Sequence, residues 1–127
     1  MEFNLKEGLT STFEITVENK DTAVAYGSGD LEVLATPAMV ALMERASKDS
    51  LKPYLDEETT TVGIAIDIKH LRATPLGERV KSEAILDKVD GKKLFFNVEA
   101  WDEKGKVGEG THIRYIVNSK KFMEKLK

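Results

Sequence analysis

From Thr59 to Val117 the chain alternates polar and apolar residues almost without a break. A side-chain period of two commits that span to half-buried strands. The first strand reads TTTVGIAIDIKH and runs to about His70, where RATPLG makes a loop. GERVKSEAILDKVD gives a second strand, Asp90-Gly91 a tight turn, and KKLFFNVEAW a third. DEKG forms another turn before a fourth strand, KVGEGTHIRYIV. Asp-Gly between alternating runs is a strong hairpin signal, so these strands are expected to be antiparallel. Upstream, TSTFEITVEN over 10–19 alternates well enough to be one more strand, and 20–30, with Gly27 and Gly29, reads as loop.

Only one long segment carries a helical signal, LATPAMVALMERASKDSLKPYL. Thr36 is placed to cap it, and Pro37 suits the first helical position, where no amide donor is missed. Ala38, Met39, Val40, Ala41, Leu42, Met43 and Ala46 are apolar almost all the way round, which predicts a buried helix ending at Pro53. The tail, NSKKFMEKLK, adds a short basic helical end. One strand, one buried helix and four long antiparallel strands predict an α+β architecture, with a sheet curved around the helix. Such a layer leaves an edge strand open, and pairing with a second copy would cover it.

At 127 residues the chain has the size of one compact domain, and no linker, repeat or low-complexity tract divides 1–127. With 41% hydrophobic and 32% charged residues it has a globular composition. Net charge is −3 with lysines and arginines scattered among acids, which argues against nucleic acid as a main partner. Without cysteine there is no disulfide, thiolate or Cys-based zinc chemistry, which suits a reducing cytoplasm. MEFNLKEG carries no basic segment followed by an apolar run, so no signal peptide is expected. No apolar stretch approaches the ~20 residues of a membrane span, so no membrane partner is expected.

Three polar residues stand where the pattern predicts burial: Thr36 at the helix start, Glu44 inside the helix, and His70 at the end of the apolar face Val62, Ile64, Ile66, Ile68. Each has a bland reading. Thr36 is a cap, Glu44 looks through a gap toward Arg45 or a lysine, and His70 is a hydrogen-bonded core imidazole. Together they are a hydroxyl, a carboxylate and a base, the parts that hydrolysis needs. Thr36 and Glu44 are about 12 Å apart along a helix, and glutamates lean toward the N-terminus, so an imidazole between them would touch both. If the gap is too wide, a second chain supplies one member. Gly63 interrupts a β-branched run, either as a bulge or close sheet–helix contact, or as the point where a ligand meets the backbone. On the fourth strand Val107, Ile113, Tyr115 and Val117 are expected to face the core, which turns His112 and Arg114 outward. No phosphate-loop, Rossmann or metalloprotease motif is present, and no metal site is expected.

ATPAMVALMERAS, followed by TTVGIAIDIKHLRATPLGERV and FNVEAWDEKGKVGEGTHIRYIV, resembles the hotdog-fold thioesterases, more narrowly their fluoroacetyl-CoA thioesterase-like branch, over residues 10–118. The resemblance implies a hotdog fold, a homodimer or a dimer of dimers, and hydrolysis of an acyl-CoA thioester near the dimer interface. Coenzyme A then enters as part of the substrate, with no separate cofactor. It also implies that Thr36, Glu44 and His70 are catalytic, that Gly63 offers its amide to the thioester, and that Arg114 is the basic position on the last strand. The loop before the helix, DTAVAYGSGDLEVLA, has Tyr26 as its only aromatic where the fluoroacetyl-specific member has an aromatic lid, which implies an ordinary short or medium acyl group. The contrasting expectation is a non-catalytic hotdog dimer that binds acyl-CoA as a sensor or carrier. A hydratase on the same fold would need a paired Asp/His loop motif that is not seen.

Overall fold

The computed structural model describes residues 3–127. In chain order it contains β1 (Thr10–Thr16), α1 (Ala23–Tyr26), α2 (Thr36–Leu51), β2 (Thr59–His70), β3 (Arg79–Asp90), β4 (Lys93–Asp102), β5 (Gly105–Asn118) and α3 (Ser119–Glu124). The strands form one five-stranded sheet in the order β1-β3-β4-β5-β2, antiparallel at every pairing. The four long strands fall where the alternation puts them. Residues 20–30, expected as loop, hold the short helix α1, closed by Gly27 at φ +72°.

α2 lies across β3 and β1, with lesser contact to β4 and β2. Its inner face buries Ala38, Met39, Leu42, Met43, Ala46, Ser47, Ser50 and Leu51. Small residues let it sit close: Ser82 of β3 donates its hydroxyl to the Leu42 carbonyl at 2.8 Å. A Cβ on Gly108 would lie 2.5 Å from Met39 Sδ. Pro37, Ala41, Arg45 and Lys48 are exposed, however. The expectation of a helix buried on nearly every side is therefore corrected for a single chain, because five strands curve round only one of its flanks.

The helix also starts one residue earlier than expected. Ala35, in extended conformation, is the cap, and Thr36 is the first helical residue. Leu34 and Ala35 give their amides to the carbonyls of Thr74 and Asp21 at 2.8 and 2.9 Å, which holds the chain extended through Ala35. The Thr36 hydroxyl caps nothing and is free for another partner.

Two bulges decide which side chains face the helix. In β2 the register shifts between Gly63 and Ala65, making Ile64 an extra residue. In β5, Ala100 pairs with Gly108 while Trp101 pairs with Lys106, so Val107 is the extra residue. Val107 and Gly108 are consecutively buried, and beyond them the even-numbered residues point inward. The outward placement expected for His112 and Arg114 is thereby overturned: they are 1% and 6% exposed. An unbroken count of two from Val107 gives the wrong face because the strand itself is broken there.

β2 is an edge strand with β5 as its one neighbour, and Ile64 and Ile66 on it are 50% and 39% exposed. Among the described residues no helix is long and apolar enough to cross a membrane. The β2–β5 contact is tightest at Gly110, where a Cβ would collide with the Asp67 carbonyl and approach Ile68 Cα at 2.6 Å. Gly110→Ala is expected to cost about 1–3 kcal/mol, the range for overpacking. Gly108→Ala should cost less, since the methionine it meets can swing aside where a backbone cannot. Urea denaturation of the two variants checks the order.

Candidate active site

The structure brings the five candidate residues together in two groups, at opposite ends of β2. In the first, Thr36 Oγ1 and His70 Nδ1 are 2.8 Å apart, joining residues separated by 34 positions. α2 supplies the hydroxyl at its first turn, where amides lack intrahelical acceptors and the helix carries partial positive charge. β2 supplies the imidazole from its last residue, on the inner face after the bulge. His70 Nε2 is buried and has no hydrogen-bond partner among the described residues. Burial lowers the His70 pKa from the ordinary 6.5, partly opposed by the Arg72 main chain. The imidazole is therefore neutral near pH 7, with one nitrogen engaged by Thr36 and the other available.

The second group surrounds Gly63. A Cβ there would meet Glu44 Oε2 at 2.8 Å, His112 Cε1 at 3.1 Å and Arg114 Nη1 at 3.4 Å. Gly63 thus sits at both a bulge and a close sheet–helix approach. Arg114 donates through Nε to the Thr61 hydroxyl at 2.7 Å and through Nη2 to the Thr61 carbonyl at 2.9 Å. Its Nη1 lies 3.9 Å from Glu44 Oε2. Glu44 is the more open of that pair, with 42% of its side chain exposed against 8% for Arg114. A cavity of about 390 Å³, lined by Phe13, Ala41, Leu42, Glu44, Arg45, Lys48 and Arg114, opens beside them.

His112 belongs to this group, although sequence reasoning set it aside. Its Nδ1 is 2.8 Å from the Ala65 carbonyl, and its Nε2 is 3.2 Å from Arg114 Nη1. A carbonyl only accepts and a guanidinium only donates, so Nδ1 carries the proton and Nε2 the lone pair. Burial lowers the His112 pKa first, and Arg114 lowers it further, against the Ala65 carbonyl and Glu44. The signal for His112 was present in Gly108 and Gly110, on the same strand face, which mark the side where a helix and a neighbouring strand come close.

His70 and Glu44 share no hydrogen bond among the described residues. About 12 Å of helix rise separates Thr36 from Glu44, and on the order of 20 Å of strand separates Gly63 from His70. One side chain does not close that gap within a single chain.

A curved antiparallel sheet packed on one long helix, with a hydroxyl–imidazole pair at the helix start, defines an α+β fold of the hotdog type. The model of the family described as "Fluoroacetyl-CoA-specific thioesterase" matches residues 17–120, and the chain belongs to that family. A fluoroacetyl-CoA thioesterase from Streptantibioticus cattleyicolor is 40% identical over 96 residues, 76% of this chain and 69% of that protein. A crystal structure of the fluoroacetyl-CoA thioesterase superposes with a TM-score of 0.91 at 33% identity, covering 97% of this chain and 96% of the other. A thioesterase superfamily member from Thermus thermophilus gives 0.87 at 28% identity, covering 95% and 90%.

Both histidines have folded-state pKa values below the ordinary 6.5. Between the folded and unfolded values the unfolded chain binds more protons, so stability rises with pH there. The protein is expected to lose stability as pH falls below about 6.5, levelling off once the folded imidazoles also protonate. Above that value the two contribute no slope. Urea midpoints between pH 8 and pH 5 check this, and His112→Gln should remove part of the loss.

Proposed function

We propose that this member of the family hydrolyses a short or medium acyl-CoA, with His70 as general base and Thr36 as its hydroxyl partner. Acyl-CoA thioester hydrolysis is the family's chemistry, and the observation that carries the residue assignment is the 2.8 Å Thr36–His70 contact at a helix N-terminus. Two routes share this pair. In one, Nδ1 takes the Thr36 proton, the hydroxyl oxygen attacks the thioester carbonyl, and water later releases the acid. In the other, Thr36 fixes the tautomer by accepting from Nδ1–H, and Nε2 deprotonates an attacking water. Either way the carbon–sulfur bond breaks, and the imidazolium returns its proton to the leaving thiolate. Amides of the first turn of α2 and of Gly63 face the developing oxyanion.

Glu44 enters from a second copy. Residues 63 and 70 bracket the middle of β2, so antiparallel pairing of two β2 edges about a two-fold near Ile66 and Asp67 would set the Gly63 end of one chain against the His70 end of the other. Glu44 and Gly63 of the partner subunit then complete the Thr36–His70 pair. The exposure of Ile64 and Ile66 on an unpaired edge supports this homodimer. In this reading Arg114 does not reach for phosphate. It is buried, and it holds the Glu44 carboxylate in place. Tyr26, the one aromatic of the loop before α2, is 47% exposed, which supports an acyl site without an aromatic lid. The absence of cysteine suits a cytoplasmic setting.

His70→Ala is expected to lose about a hundred- to ten-thousand-fold in turnover, the worth of a positioned base, while remaining folded. A free-thiol release assay across acetyl-, butanoyl- and hexanoyl-CoA measures it. Near-parent turnover would remove His70 from the chemistry. Tight retention of the esters by the parent protein, with no thiol released over hours, would mean a sensor or carrier instead. For the assembly, Ile64→Lys combined with Ile66→Lys is expected to give a monomer by light scattering, with thiol release falling in parallel.

A further inference from the structure

A hydrogen bond between side chains 34 residues apart needs something to set its length, and neither α2 nor β2 does so alone. Thr36 follows an extended stretch that ends at Ala35, and His70 is the last residue of its strand. Both lie where regular structure gives way to loop. Two residues beyond His70 is Arg72, and two residues before Thr36 is Leu34. Each of these is tied into one network, whose centre is a carboxylate on the turn between β4 and β5.

That carboxylate is Asp102, whose side chain has no exposed surface. Its Oδ1 accepts from Arg72 Nη2 at 2.5 Å and from the Lys104 amide at 2.8 Å, and its Oδ2 accepts from the Thr74 hydroxyl at 2.9 Å. The Thr74 carbonyl in turn accepts from the Leu34 amide at 2.8 Å. Burial would push the Asp102 carboxyl up, but the Lys104 amide, Arg72 and Thr74 together hold it below the ordinary carboxylate value. Arg72 keeps 38% of its side chain exposed and would be hydrated without this partner. Burying a charge that its counterion does not require is costly, and what the burial supplies is fixed geometry.

We propose that Asp102 is a positioning residue of the active site. It fixes the spacing of Thr36 and His70 by clamping the loop after His70 and, through Thr74, the segment that leads into α2. No other charged side chain bonds to Arg72 or Thr74 among the described residues, so the clamp has a single anchor. This inference rests on the Thr36–His70 pair being the reacting pair, and its test separates the two ideas. The chain has only two histidines, His70 and His112, and His112 is held by Ala65 and Arg114, outside the clamp. It serves as an internal control.

The experiment is imidazole ¹⁵N NMR of the full chain, parent against Asp102→Ala, with turnover of acetyl-CoA measured alongside. In the variant the His70 nitrogens should move toward the averaged shifts of a hydrated ring, and its titration midpoint should rise toward the ordinary value, while His112 stays where it was. Turnover should fall about ten- to a hundredfold with KM within about twofold, as expected when reacting groups are misplaced by around an ångström. Should Asp102→Ala not fold, Thr74→Val removes only the hydroxyl bond to Asp102 at nearly equal volume, uncoupling the carboxylate from the segment that leads into α2, and should shift His70 in the same direction. Folded variants with parental His70 shifts and titration would overturn the proposal. A displaced His70 with parental turnover would support the clamp and instead overturn the assignment of His70 as base.

Discussion

The two-residue side-chain period of a strand, and the two places where it breaks, decide what this protein can do. Ile64 in β2 and Val107 in β5 are each one residue more than the ladder needs. The extra residue in β2 lets Gly63 and His70, of opposite parity, both face the helix. The extra residue in β5 turns His112 and Arg114 inward to meet Gly63. Without the β2 bulge Gly63 would face away from His112 and Arg114, and without the β5 bulge all three would turn away from the helix.

Polar burial follows a consistent division. Arg114, His112 and Asp102 are buried and fully engaged: by Thr61, by a carbonyl paired with a guanidinium, and by two donors and an amide. Such groups are costly to bury, their hydrogen bonds offset that cost, and breaking one of them is strongly destabilising. His70 differs, with one nitrogen bonded and the other buried without a partner. That contrast is in keeping with the proposal that the Thr36–His70 end reacts and the Gly63 end supports it.

The fold was legible because its determinants are local. Alternation, Asp-Gly and the single Thr-Pro helix start each act within a few residues, and the strands appear where those signals stand. The Thr36–His70 encounter was legible as well, since a helix start and a strand end are both fixed by local rules. What the sequence hid was parity. KVGEGTHIRYIV looks regular, yet Val107 carries no mark of a bulge, because its partner lies in another strand and the shift exists only in the pairing. Asp102 was hidden for a related reason. DEKG reads as a solvated turn, and only the arrival of Arg72 and Thr74, from about thirty residues away, buries the carboxylate. The expected touch between His70 and Glu44 failed on length. The helix and the strand meet at both ends, Thr36 with His70 and Glu44 with Gly63, and no rotamer spans the length between the two meetings.

That separation is what the proposed two-chain site would resolve. Within one chain His70 sits at one end of β2 and Glu44 beside the other, with on the order of 20 Å of strand between them. A two-fold axis through the middle of an antiparallel strand pair exchanges the two ends, so each base meets a carboxylate and both sites are equivalent. The same pairing would satisfy the open edge and cover Ile64 and Ile66, so the interaction proposed to complete the site would also protect the fold from uncontrolled edge pairing. On that proposal stability and chemistry would depend on one interface. A substitution that only weakens the β2 edge should lower activity as steeply as one that touches Thr36 or His70, although it reaches neither.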